Sequence, residues 1–328
     1  MPGVNISTVQ DFHKGLQDGE FHINMLRTNN ILRKEEWKAF DEAVVDIFRH
    51  NLVAVEDLRA AGLTRNLGGL GTMIDEWEMM SDMEEANADM SGITPGQRSQ
   101  PEFELAGVPI PIVHKDFQIN IRRLLASRKL GTALDTTMAE VAARKVRDKL
   151  DDMVFNGLPE IRSKQFVVYG YTSFPWRNQM PLSGIWGTAG SNPLSDVLAM
   201  LEVANDNNCF GPYQLYIPRS FWANLYDDYD PQKPGTIAER ILQIPDIRGI
   251  KQTASLDGSA GAAEVVLVQL TRDVVDLAIG QDVATVEWET LGGMQTNFKV
   301  MCAMAPRLKR DEEGRCGIVH AWIGQGAT

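Results

Sequence analysis

Residues 136–157, Thr136-Thr-Met-Ala-Glu-Val-Ala-Ala-Arg-Lys-Val-Arg-Asp-Lys-Leu-Asp-Asp-Met-Val-Phe-Asn-Gly157, decide how this 328-residue chain is read. Met138, Val141, Ala142, Val146, Leu150 and Met153 recur at helical spacing, which predicts one long amphipathic helix. Asp135, Thr136 or Thr137 can cap its start, since a short side-chain oxygen accepts from an orphan N–H there. Asn156-Gly157 ends it, glycine being free to turn left-handed after the last turn. Just upstream, Val108-Pro-Ile-Pro-Ile-Val and Phe117-Gln-Ile-Asn-Ile-Arg-Arg read as strands, the second with period-two alternation. Just downstream, residues 166–190 form a Gly/Pro/aromatic connector containing Tyr169-Gly-Tyr-Thr-Ser-Phe-Pro-Trp-Arg-Asn.

Further out, residues 34–61 predict an amphipathic helix with Trp37, Phe40, Val44, Ile47, Val55 and Leu58 on one stripe and Gly62 as its stop. Residues 1–33 are mixed and polar, like an arm. Residues 63–106 read as a long loop opened by Asn66-Leu-Gly-Gly-Leu-Gly and closed by Ser91-Gly-Ile-Thr-Pro-Gly-Gln. It is acidic (Asp75, Glu76, Glu78, Asp82, Glu84, Glu85, Asp89) and interleaved with Met73, Trp77, Met79, Met80, Met83 and Met90. Soft apolar side chains of this kind want a partner surface. Helices are expected around 194–206, 220–226 and 236–243. Strands are expected at 213–217, 264–270, 274–279, 283–289, 296–305 and 318–323, the last after a turn at Asp311-Glu-Glu-Gly. The class is α+β, with no internal repeat.

The composition, 44% apolar and 23% charged, is that of a folded chain. A net charge of −12 argues against a dedicated nucleic-acid binder, which needs a basic surface. Cys209, Cys302 and Cys316 are too few and too dispersed for a disulfide framework or zinc site, and suggest buried thiols in a reducing compartment. No signal peptide is visible at Met1-Pro-Gly-Val-Asn-Ile-Ser-Thr, and no apolar run is long enough to span a membrane. A cytoplasmic product is expected.

Catalytic signatures fail one by one. His13, His22, His50, His114 and His320 are scattered, with no HExxH, and read as surface or satisfied histidines. There is no nucleophile elbow and no phosphate-cradling P-loop. Gly69-Leu-Gly-Thr-Met-Ile lacks the third glycine of a dinucleotide loop. Glu287 and Glu289 flank Trp288 and read as a solvated strand face rather than a glycosidase pair. Asp227-Asp-Tyr-Asp-Pro reads as an exposed turn, lacking the glycine and distal Glu of a calcium loop. One concentration stands out: residues 122–149 carry eight Lys/Arg (Arg122, Arg123, Arg128, Lys129, Arg144, Lys145, Arg147, Lys149) against three acids. It fits contact with a polyanion, contact with a neighbour's acidic loop, or a solvated helix face. No aromatics interleave, so stacking on single strands is unsupported.

The order of elements resembles the major capsid protein family of tailed bacteriophages, the Hong Kong 97-type fold that encapsulin shells share. The likeness runs from about residue 35 to 323. Val108 to Arg123 resembles the strand returning from the extended loop. Met138 to Gly157, with its Phe-Asn-Gly ending, resembles the spine helix. Tyr169-Gly-Tyr-Thr-Ser-Phe-Pro resembles the connector. Gly211-Pro-Tyr-Gln-Leu-Tyr-Ile-Pro resembles the opening strand of the axial domain, and Gly280-Gln-Asp-Val-Ala-Thr-Val-Glu-Trp the return to the peripheral domain. The resemblance implies an N-terminal arm and helix at 1–65, an extended loop at 66–106, a peripheral domain at 107–188 plus 277–328, and an axial domain at 189–276. It implies no enzyme activity, no cofactor and no metal. The partners it implies are copies of the chain itself in pentamers and hexamers, a scaffold, a portal, cement proteins, and packaged double-stranded DNA without sequence specificity. No membrane is involved. The location implied is the virion, assembled in the host bacterial cytoplasm. Expected inter-subunit contacts are Trp77, Met79, Met80, Met83, Arg144 and Arg147, across head-to-tail interfaces of the kind that close into rings. An encapsulin-like compartment is the alternative, and a soluble α+β hydrolase a third reading from another class.

Some family members crosslink a loop lysine to an asparagine of another subunit. Residues 66–106 contain no lysine. Intact particles boiled in denaturant are therefore expected to run as a monomer near 36.5 kDa on a denaturing gel; a ladder of covalent multimers contradicts this.

Overall fold

The computed structural model describes residues 34–49, 52–80, 103–130, 136–188, 190–230, 233–258, 263–290 and 294–323. In chain order the elements are α1 (Lys34–Arg49), α2 (Val53–Ala60), β1 (Thr64–Asn66), β2 (Ile74–Met80), β3 (Phe103–Pro109), β4 (Ile112–Asn120), α3 (Ile121–Leu130), α4 (Thr137–Asn156), β5 (Leu158–Ser163), β6 (Phe166–Val168) and β7 (Asn178–Pro181). There follow α5 (Pro193–Asp206), β8 (Tyr213–Pro218), α6 (Arg219–Trp222) running into a 3-10 turn, β9 (Asp228–Asp230), β10 (Lys233–Thr236), α7 (Ile237–Leu242), β11 (Ile247–Thr253), β12 (Glu264–Gln269), β13 (Val275–Thr290), β14 (Gln295–Leu308) and β15 (Ile318–Trp322).

The long helix α4 forms where its pattern places it, with a stripe composed differently. Ala139, Ala142, Ala143, Val146, Leu150 and Met153 are buried, whereas Met138 and Val141 lie on the exposed side. Three alanines in the stripe let the strands β4 and β14 approach the helix closely. Thr136 occupies the N-cap position, but its hydroxyl donates to Glu140 Oε1 at 2.7 Å instead of accepting from a backbone amide. Asp135 lies outside the described residues.

At the other end, Gly157 takes φ +76° and its N–H returns to the Met153 carbonyl at 2.9 Å. The last free carbonyls are taken by the connector. Tyr171 N donates to Val154 O at 3.0 Å, and both the amide and hydroxyl of Thr172 donate to Phe155 O, at 2.8 and 3.1 Å. This crossing needs two glycines. A Cβ on Gly170 would lie 2.4 Å from Gly157 N, and one on Gly157 would lie 2.6 Å from Val168 O.

Two lobes result, each with its own core. The first has the sheet β1-β13-β14-β4 under α1, α2 and α4, with β1 parallel to β13 and the rest antiparallel. The second has the sheet β11-β8-β12-β15-β7, covered by α5, α6 and α7. Asn192 caps α5 by accepting from Ser195 N, and Thr236 with Glu239 forms a reciprocal capping box on α7. Where the lobes meet, Asp57 of α2 accepts from the Tyr216 hydroxyl of β8 at 3.0 Å and pairs with Lys251 of β11 at 2.6 Å.

Several expectations are corrected. The helix expected over 34–61 is two helices, because Leu52 is extended (φ −79°, ψ 101°); Gly62 does end the second, at φ +70°. The strand expected to run through Arg123 becomes helix α3 at Ile121. Residues 63–106 are not all loop, since β1, β2 and the start of β3 fall there. The strands expected at 274–279 and 283–289 are one strand with a register irregularity between Ile279 and Ala284. Asp228–Asp230 pairs with Lys233–Thr236 and is not a simple turn. Glu287 is 1% exposed, so its face of β13 is not solvated. Asn178–Pro181 and Ile318–Trp322 pair within the second sheet. Cys302 and Cys316 are buried, which pushes both thiols up to about 12; Cys209 is only half-buried.

Gly170→Ala is expected to cost about 3 kcal/mol or more, because the methyl meets backbone that cannot yield. Urea unfolding measures this, with Gly71→Ala, whose surroundings are open, as the neutral control.

Candidate assembly surface

The hairpin of β2 and β3, in register from Ile74↔Pro109 to Met80↔Phe103, reaches from the first core at Val108 and Trp77 out to exposed Leu105 and Phe103. A two-stranded ribbon is marginal in water without further packing. Its base is anchored by charge. Arg307 of β14 donates Nη1 to Asp75 Oδ2 at 2.6 Å and pairs through Nε with Asp276 Oδ1 at 3.0 Å. Lys309 holds the other Asp276 oxygen at 2.8 Å, and Arg65 reaches Asp75 at 3.6 Å. The guanidinium lies 4.5 Å from the Trp77 ring centre, a cation–π contact in a largely dry setting. Asp75, Asp276 and Arg307 are buried, so each charge depends on the others for compensation.

Three further contacts hold the ribbon. Gly107 leaves room for Phe166, whose ring would come within 2.9 Å of a Cβ at that position. Lys164 pairs with Glu76 at 2.7 Å, and Arg310 joins Glu104 at 2.6 Å while covering the Trp176 ring at 4.4 Å. Burial then falls along β3 from base to tip. Val108 and Pro109 are buried and Gly107 is half-buried, whereas Leu105 is 47% and Phe103 64% exposed. Met73 and Ile112, beside the base, are also exposed. Over its described length the ribbon therefore carries a buried root and, farther along β3, exposed apolar side chains at Leu105 and Phe103 beside Glu104.

Of the residues expected to make subunit contacts, Trp77 and Met79 lie on this ribbon. Both are half-buried, and Trp77 is engaged by Arg307 of its own chain. The Met80 side chain and Met83 lie outside the described residues. Arg144 and Arg147 lie elsewhere, on α4. Arg144 is exposed; Arg147 has a side chain 12% exposed and pairs with Asp148 at 2.6 Å. Arg144 and Arg147 thus lie on a different element from Trp77 and Met79. Sequence reasoning missed Phe103 and Leu105, although their alternation with Glu102 and Glu104 was there to be read. It had no means of finding Arg307, which meets Asp75 across 232 positions.

Chemistry finds little here. Among the described residues no group of three or more His, Cys, Asp or Glu is placed to hold a metal ion, and no helix is long and apolar enough to cross a membrane. His320 is buried; its Nδ1 accepts from Arg177 Nε at 3.0 Å, and its Nε2 lies 3.1 Å from Glu264 Oε2 without a hydrogen bond among the described residues.

Residues 26–321 match a family described as a family of unknown function, DUF6260. The type 1 encapsulin shell protein EncA of Myxococcus xanthus is 27% identical over 308 residues, covering 91% of this chain and 96% of that protein. A diheme-cytochrome-encapsulin shell fusion protein of Kuenenia stuttgartiensis is 28% identical over 284 residues, covering 85% and 71%. Among solved structures, the virus-like particle from Pyrococcus furiosus aligns with a TM-score of 0.60 at 19% identity, over 88% of this chain and 99% of that one. The capsid of Myoviridae phage XM1 aligns with a TM-score of 0.63 at 10% identity, over 83% and 92%. The α+β architecture is accordingly the Hong Kong 97-type fold of phage capsids and encapsulin shells, and the chain belongs to the DUF6260 family.

Proposed function

We propose that the chain is a shell subunit, and that copies join head to tail through the β2–β3 ribbon into the pentamers and hexamers of a closed container. The observation that carries this reading is the gradient along β3, buried at its root and apolar but uncovered at Phe103 and Leu105. A second copy covering that end completes the packing that the ribbon lacks alone. The identity with EncA, named as a shell protein, across nearly its whole length supports the same reading. Obligate contacts of this kind bury on the order of several thousand Å2 per pair.

What the container holds has two readings. In the first it is a tailed-phage capsid around double-stranded DNA, assembled with scaffold and portal in a bacterial host; the acidic balance suits a lining that does not clamp phosphate. In the second it is an encapsulin-like compartment around a protein cargo. The observation favouring the second is that the encapsulin shell relatives are 27–28% identical, against 10% for the XM1 capsid.

Electron microscopy of the purified protein is expected to show closed shells or capsomers; a monodisperse monomer overturns both readings. Nuclease-protected DNA of uniform length inside the shells selects the first, and a stoichiometric enclosed protein the second. Leu105→Glu combined with Phe103→Glu is expected to give folded subunits that do not assemble, as read by sedimentation and circular dichroism. Arg307→Ala leaves Asp75 and Asp276 without their central counter-charge and is expected to cost about 3 kcal/mol in urea unfolding.

A further inference from the structure

A cavity of about 540 Å3 lies where the lobes join, walled by the start of α2, the last turns of α4, the start of α6 and the end of β11. That volume suits a small molecule, and junctions between packed units are where such sites recur. The walls carry charge of both signs. Arg147, Asp148, Asp151 and Asp152 come from α4, and Arg219 from α6.

Three of these charges are engaged within the chain. Arg147 holds Asp148 at 2.6 Å, and Asp152 accepts from Lys149 at 3.3 Å and from the Asn156 amide at 2.8 Å. The other two are not. Asp151 is buried, yet the Ala54 amide and the Thr253 hydroxyl both stand 3.4 Å from its oxygens, the long limit of a hydrogen bond. No lysine or arginine forms an ion pair with it among the described residues. Arg219 is exposed and has neither an ion pair nor a hydrogen bond among them. An ionised carboxylate can accept about four hydrogen bonds and a guanidinium can donate about five. One wall is thus short of donors and another short of acceptors.

We propose that this cavity is a binding site for a free amino acid, with the ligand's ammonium group on Asp151 and its carboxylate on Arg219. The groups acting on Asp151 are the Val53 and Ala54 amides, Thr253 and, farther off, Arg147, all of which favour the ionised form that an ammonium needs. Burial opposes ionisation, and an incoming ammonium offsets that cost. A bare amine would sit beside Arg219, and a bare carboxylate beside three aspartates. A zwitterion sets each of its charges against the opposite one, with charge-assisted hydrogen bonds at both ends. Bound so, it ties α4 of the first lobe to α6 of the second and stabilises the folded chain by mass action. The inference rests on the lobe junction and is independent of the shell reading.

Calorimetric titration of the purified full-length protein with each of the common L-amino acids at neutral pH tests it. At least one is expected to bind at millimolar concentration or below, and binding by none overturns the site. For the tightest binder, the amide lacks the carboxylate and the N-acetyl derivative lacks the ammonium. Each is expected to bind at least about tenfold more weakly, and half-ligands that match the amino acid overturn the proposal. Arg219→Gln, at an exposed position, is expected to bring the amino acid down to the affinity of its amide, while Arg162→Gln on β5 leaves it unchanged. Equal losses in the two variants mark a general charge effect and overturn it. Asp151→Asn is expected to abolish binding. Should that variant fail to fold, Arg219→Gln decides: an unaltered preference for the amino acid over its amide overturns the site.

Discussion

The backbones of Gly157 and Gly170 cross with no room for a methyl between them, and the rest of the molecule is aligned by that contact. It lets the connector satisfy the final carbonyls of α4 with its own amides, so the helix ends inside the protein without orphan acceptors. It also seats Phe155 edge-on against both Tyr171 and Tyr216, at ring separations of 5.6 and 5.1 Å. Tyr216 belongs to β8, a strand of the second sheet. The close crossing at two glycines thus lies beside the aromatic contact that packs a strand of the second sheet on the end of α4.

The elements visible in the sequence were those whose signals are local. A stripe such as Val146, Leu150 and Met153 announces itself within a few turns, and so does a buried run such as Tyr213–Pro218. What escaped depends on distant partners. Met138 and Val141 fit the stripe by spacing but sit toward its edge, and only the placement of β4 and β14 decides that alanines take the centre. Glu287 reads as surface because a strand with alternating acids usually is, yet its face of β13 is covered. The root of the ribbon was invisible for the same reason: Asp75, Asp276 and Arg307 acquire meaning only when three strands converge. At the surface, the Met/Trp-rich segment was legible as needing a partner, but Trp77 finds part of its partner in its own chain.

That ion cluster also changes what the charge balance means. Asp75, Asp151, Asp196, Asp276 and Glu287 are all buried, whereas Arg307 is the one Lys or Arg among the buried residues described. A part of the −12 therefore belongs to internal architecture and not to the outer surface. The ribbon shows the division clearly. Its root places acid in a desolvated network that fixes orientation, and farther along it Glu78 and Glu104 are exposed beside apolar residues, where their action is confined to surfaces in contact.

Strand β15 lies between β12 and β7, so residues 318–322 supply the missing neighbour for residues 178–181. During synthesis, β7 leaves the ribosome about 140 residues ahead of the strand that must hold it, a span that a growing chain takes on the order of ten seconds to extend. Until then the second sheet has an open edge, and the subunit lacks its finished shape. A long-range closure of this kind acts as a timer. It leaves the second sheet complete only once residues 318–322 have been added.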